Sequence, residues 1–337
     1  MGKRFSRSVR QSAIGLFLTG LLTALSAPQP AHALVINANF NPNLSAAAQA
    51  VINDAISFYE NTFFDPITVA IEFHNLATGL GHSDVSFYDL PYAPYRAALI
   101  AEATSADDLT AVGTLPAGPN EPVLGNPIVM ARSANGRAVG FNTPGLLLNF
   151  GGSPCPTFTG DGCIGLNVSD TTTGGGSFSL FATAQHEIDE VLGLASSLRP
   201  DGTIVDGQIF AYDLFRFAGP GVRSFATNAS VTEPCGAATP QAFFSIDAGA
   251  TNLNEFNNCN NGGDYGDWIT HTPSQVQDAF TNGIGSPALT ATSAEARALD
   301  VIGYDLVAAV PEPASLLLVG SGLAWLGGVA RRRRRRN

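Results

Sequence analysis

Basic residues are nearly missing from most of this chain. Between residues 34 and 310 there are seven arginines against 27 acids, a net charge of −20. The full 337 residues carry only −11, because the positive charge sits at the two ends. A body this acidic excludes a nucleic-acid phosphate backbone as a partner. Charged residues of all kinds make up 13% of the chain, about half of what is usual. Cysteine is also scarce: Cys155, Cys163, Cys235 and Cys259 are all there are, and none forms a C-x-x-C pair. A thiolate zinc site or a redox dithiol is therefore not expected. A sparse, even count in an exported chain points instead to disulfides, and the sequence-local pairs Cys155–Cys163 and Cys235–Cys259 are favoured. The apolar share of 45%, with 9% aromatics, argues against wholesale disorder.

The two ends read as addresses. Residues 1–33 carry Lys3, Arg4, Arg7 and Arg10, a short apolar run from Ile14 to Leu25, and Ala31-His32-Ala33 at the expected cleavage position. That order is a secretory signal removed by signal peptidase. Residues 310–337 run Pro311-Glu312-Pro313, 17 uncharged residues from Ala314 to Ala330, then Arg331 to Arg336. The apolar stretch is long enough for a membrane helix, with the arginines held on the cytoplasmic side. The three ordered elements resemble the PEP-CTERM sorting tail of Gram-negative bacteria. That resemblance implies recognition by an exosortase, transient anchoring through the C-terminal helix, and release or attachment outside the inner membrane.

The body, 34–306, reads as one α+β domain. Ala48, Val51, Ile52, Ala55, Ile56 and Tyr59 lie on one helical stripe within 44–62. A strand is expected over 67–73, a loop over 75–95, and a second helix over 95–106. Residues 113–127 read as a loop, and short strands as 128–132, 146–150 and 163–168. After the glycines at 174–176 a helix should run from Ser179 to about Ser197. Few regular elements are expected over 201–285, and a last helix spans 292–302, with Thr292 and Glu295 fitting a capping box.

Chemistry concentrates on the helix at 179–197. His186 and Glu190, four apart, share a helix face, and both side chains are zinc donors. Glu187 lies next to the first donor, where it could act as a general base on a metal-activated water. Ile188, Val191 and Leu192 make much of the helix apolar, so this acidity is expected to be buried, and a cation would neutralise it. The segment resembles the H-E-x-x-H-x-x-G helix of zincin metalloproteases. His186, Glu187 and Gly193 match the first ligand, the base and the turn glycine. Glu190 replaces the second histidine, and Ser196 stands where metzincins place a third.

A closer resemblance is to a group of secreted bacterial PEP-CTERM proteins classed as metalloproteases, whose helix reads H-E-I-x-E-V-L-G. The matching stretches are Asp213 to Phe217, Phe244 to Gly249, Gly263 to Trp268 and Leu299 to Asp305. The resemblance implies a zincin-like fold, with a small mixed sheet over the active-site helix, and zinc-dependent cleavage of a protein or peptide substrate. It leaves the third ligand open. Asp213 is the first choice, on its spacing from Glu190, and His271 is the alternative, as ligand or oxyanion stabiliser. Asp201 and Asp206 fit turns or a calcium ion better. Asp264 and Asp267 read as a surface turn or as supporting acids. The rival expectation is a non-enzymatic surface or matrix protein with a calcium site. A polysaccharide hydrolase using Glu187 and a second carboxylate is a third.

Overall fold

The computed structural model describes residues 34–148, 155–171, 177–199, 202–225, 241–281 and 287–307. The expected leader at 1–33, the sorting tail with Pro311, Glu312 and Pro313, Asp201 and Cys235 lie outside these residues, so the Cys235–Cys259 pairing does too.

The chain enters as strand β1 (Val35–Phe40), crosses helix α1 (Ala46–Thr62) and returns as β2 (Thr68–Asn75), parallel to β1. Ser45 caps α1 by accepting from the Ala48 amide, and Ala48, Ile52, Ala55, Ile56 and Tyr59 form its buried stripe, as the periodicity predicts. The stretch read as a loop holds two strands, β3 (Gly81–Val85) and β4 (Phe87–Pro91). β3 is a sheet edge built of Gly-His-Ser-Asp-Val and is nowhere fully buried, so no apolar alternation announces it. Helices α2 (Tyr92–Glu102) and α3 (Ala106–Gly113) follow, then β5 (Ile128–Arg132), α4 (Ser133–Ala138) and the short β6 (Leu146–Leu147) and β7 (Thr159–Gly160). Strand β8 (Gly162–Leu166) completes the main sheet in the order β1-β2-β8-β3, parallel except for β3.

Helix α5 (Leu180–Leu192) is shorter than expected and stops at Gly193, whose φ of 146° turns the chain away. Beyond it come β9 (Ile209–Phe210), a 3₁₀ turn at Ala211–Phe215, β10 (Arg216–Gly219), β11 (Val222–Arg223), β12 (Phe243–Phe244), β13 (Asn254–Glu255) and α6 (Ala294–Val301). Strands β4, β5 and β9 make a second small sheet, and β10 to β13 a third. The fold is α+β with small mixed sheets. The expected capping box of α6 does not form. Ser293 takes the cap position, and the Glu295 carboxylate instead accepts from Trp268 Nε1 at 3.1 Å and the Gln277 amide at 3.3 Å.

One apolar core joins α1, α5, α6 and the main sheet, through Ile52, Tyr59, Ile71, Phe73, Ile188, Leu192, Leu299 and Tyr304. Tyr59 fixes α5 within it. Its hydroxyl meets the Gln185 carbonyl at 2.7 Å and Asp189 Oδ1 at 2.9 Å. Tyr304 donates to the Leu192 carbonyl at 2.8 Å and so satisfies the end of the same helix. The Cys155–Cys163 disulfide forms as expected and ties β8 to the chain before it.

Candidate metal centre

Helix α5 presents His186, Glu187 and Glu190 to a cleft of about 640 Å³. Asp189 points the other way, to Tyr59 in the core. His186 Nε2 lies 3.9 Å from Glu190 Oε1. The third group at this point is Asp267, with Oδ1 3.7 Å from His186 Nε2. Among the described residues, one donor atom from each of His186, Glu190 and Asp267 falls within 4.8 Å of the others.

Asp213 is not there. Its Oδ1 accepts from Ser196 Oγ at 2.6 Å, and its Oδ2 from the Ser197 and Phe210 amides at 3.0 and 2.9 Å. Both oxygens are spent on bracing the turn that follows α5. His271 is also elsewhere: its Nδ1 pairs with Asp278 Oδ1 at 2.6 Å, and this bond raises its pKa.

Asp267 reaches the site through tertiary packing. A Cβ on Gly266 would stand 2.7 Å from the Ser196 nitrogen and 2.8 Å from Ala195 Cα, so only glycine lets this segment run against the end of α5. Arg216, fully buried, pins the same segment by donating to the Tyr265 carbonyl and to Asn258 Oδ1. The sequence signal was the pair of glycines alternating with acids in Gly263-Asp-Tyr-Gly-Asp-Trp268.

The three candidate donors are themselves held. His186 Nδ1 sits 2.9 Å from the Val276 carbonyl, which can only accept, so Nδ1 carries a proton and Nε2 faces the acids. Ser83 Oγ, on β3, donates to Glu190 Oε2 at 2.5 Å and leaves Oε1 for the cleft. Gln277 Nε2 donates to Asp267 Oδ1 at 2.9 Å. Strand β3 crosses directly over Glu187, where a Cβ on Gly81 would collide with the carboxylate. Ser83, Gly81 and Gln277 were missed in the sequence, and Asp267 was read only as a turn or supporting acid, since each acts from a loop or an edge without periodicity.

The electrostatics describe a site with too many acids. Burial pushes the Glu187 carboxyl well above its usual range, and the Glu190 charge beside it adds to that. Burial likewise raises Asp267 to about 8, against the pull of His186. For His186 burial acts downward, but Asp267, Glu187 and Glu190 together lift it to about 10. Glu187 Oε2 is buried without a hydrogen-bond partner. This density of negative charge, with an orphaned carboxylate oxygen, fits a divalent cation. One imidazole nitrogen with two carboxylate oxygens suits zinc, whereas calcium takes six to eight oxygens and no nitrogen. A second group of donors, His74 with Cys155 and Cys163, is closed by the disulfide and is not a site of this kind.

Residues 309–335 match the family model of the PEP-CTERM protein-sorting motif. Comparison of the chain with curated proteins and with solved structures gives no match. The motif covers the tail and leaves the domain with the candidate metal centre unassigned. The chain is thus an exported bacterial protein carrying the tail that exosortase recognises, sorted to the cell surface.

Proposed function

We propose that the domain is a secreted zinc-dependent endopeptidase of zincin type. The observation that carries this is the convergence of His186 Nε2, Glu190 Oε1 and Asp267 Oδ1 beside the unpartnered Oε2 of Glu187, in a cleft large enough for a peptide segment. His186, Glu190 and Asp267 would hold the ion, with Val276 and Ser83 orienting the first two. Zinc, when bound, polarises a peptide carbonyl and acidifies water. Glu187 takes the proton of the attacking water and returns it to the leaving amine. Burial raises its proton affinity, which favours the step that takes up the proton. The leader at 1–33 would be removed by signal peptidase, and the apolar C-terminal segment would anchor the protein until exosortase acts on it.

The test is zinc analysis of the exported protein with cleavage of casein or a peptide library. Glu187→Gln should keep zinc while cleavage falls by about 10²–10⁴. Cleavage that survives the substitution removes Glu187 from the mechanism, and a protein that takes up no zinc overturns the reading. Stoichiometric zinc without cleavage by the wild type would favour a non-enzymatic surface protein with a structural metal. The amide of Gln277, close beside the donors, is the feature that speaks for that second reading.

A further inference from the structure

Gln277 is fully buried, and its side chain is only half satisfied. Nε2 lies 2.9 Å from Asp267 Oδ1 and 3.4 Å from His186 Nε2, while Oε1 has no hydrogen-bond partner. Burying an amide carbonyl unpaired is costly, so its position needs a cause. Two donors of one tetrahedral zinc, each about 2.0–2.1 Å from the metal, stand about 3.3 Å apart. The Gln277 amide nitrogen therefore occupies the place of a fourth donor with respect to His186 and Asp267. An N–H₂ group cannot stay there once a cation takes the lone pairs of those two residues. Half a turn about the last side-chain bond exchanges the two ends of the amide at little steric cost, because they are nearly the same size.

Resting on the metal reading of the site, we infer that Gln277 is a reversible fourth donor. Its N–H₂ group satisfies Asp267 in the metal-free protein, and its carbonyl oxygen turns into the same place when zinc binds. Such a donor is neutral and weaker than the other three, so it is the one that water or a substrate carbonyl displaces. The amide thereby keeps the loaded site closed until substrate arrives.

The experiment measures zinc affinity of the full chain by chelator competition. His186→Ala serves as the control for the metal reading itself, and a wild type that binds no zinc fails that reading rather than this one. Gln277→Leu should weaken zinc by about 10–100-fold. Gln277→Glu decides the role by its sign. As a direct donor the added charge should tighten zinc by about tenfold or more. If Gln277 only supplied an N–H to Asp267, the substitution would remove that donor, oppose two carboxylates and weaken zinc, which overturns the inference. Thermal melts check that each variant folds. Should Gln277→Glu not fold, zinc-induced infrared difference spectra of wild type carrying isotope-labelled glutamine replace it. A side-chain carbonyl band that shifts on zinc addition supports direct coordination, and an unmoved band overturns it.

Discussion

Among the described residues, two groups of acids are buried with no lysine or arginine to neutralise them fully, and they resolve the problem differently. At the cleft, Glu187, Glu190 and Asp267 surround His186, and donor atoms of His186, Glu190 and Asp267 converge. Near the end of the domain, Asp65, Glu102, Asp108, Asp300 and Asp305 gather where α2, α3 and α6 meet. There the oxygens are turned toward nearby donors. Asp108 accepts from the Thr104 and Ser105 amides at 3.0 and 2.9 Å, Asp300 from Ser105 Oγ at 2.6 Å, and Asp65 from the Asp305 amide at 3.1 Å. No histidine takes part. Burial, reinforced by neighbouring acids, lifts Asp65 and Asp300 to about 7 and Glu102 to about 9. The distal acids are held in the range where they keep protons. The cleft acids would, on the proposed reading, exchange theirs for a cation. Burial of acids alone does not single out a candidate metal site; convergence of donor atoms around an oriented imidazole does.

The sharpest way to break this contrast is to remove a ligand and compare it with a bracing acid. Asp267→Asn should lower zinc affinity by more than the 10–100-fold usual for supporting residues. Asp213→Asn should leave zinc stoichiometry intact and cost about 1–3 kcal/mol of stability, because an amide cannot accept all three bonds that the carboxylate accepts. Equilibrium dialysis and urea unfolding of the two variants separate the effects. The reverse outcome, with zinc lost in Asp213→Asn and kept in Asp267→Asn, would return the ligand role to Asp213.

Next in size is the response to pH. Asp65, Asp300 and Glu102 have folded pKa values above those of the unfolded chain, so the native state binds more protons between about pH 4 and pH 9. Their contribution to stability is present below pH 4 and is lost as pH rises through 7 and 9. Zinc-saturated protein, in which the cleft is occupied, should therefore be less stable at pH 8.5 than at pH 5 by a few kcal/mol. Glu102→Gln should flatten that slope. Chemical unfolding across this range checks it, and a slope unchanged in Glu102→Gln would show that the distal acids are not the source.

What was legible in the sequence follows from distance along the chain. His186, Glu187 and Glu190 are written in one helical turn, so their shared face could be read directly. Helix α1 and strand β2 were legible for the same reason, through periodic burial. Asp267 was not, because its place depends on Gly266 packing against Ala195, a contact between segments with no common pattern. Spacing from Glu190 favoured Asp213, but spacing cannot reveal that two amides and a hydroxyl already claim its oxygens. Glu295 shows the same limit: a good capping-box position, taken instead by Trp268 and Gln277.

The smallest expected effect tests the support of a ligand rather than the ligand. Ser83 sits on β3 and donates to Glu190 Oε2, as Ser105 donates to Asp300 in the distal cluster. The two hydroxyls do the same local work on different carboxylates. Ser83→Ala should free Glu190 to rotate and weaken zinc by about tenfold, with little change in fold stability. Ser105→Ala also removes the N-cap of α3, so it should cost about 1 kcal/mol of stability and leave zinc affinity unchanged. Measuring both quantities in both variants gives a crossed pattern if one cluster holds a cation and the other holds protons. Equal loss of stability with no change in zinc affinity in either variant would mean that the Ser83 bond serves packing of the sheet edge and not the metal.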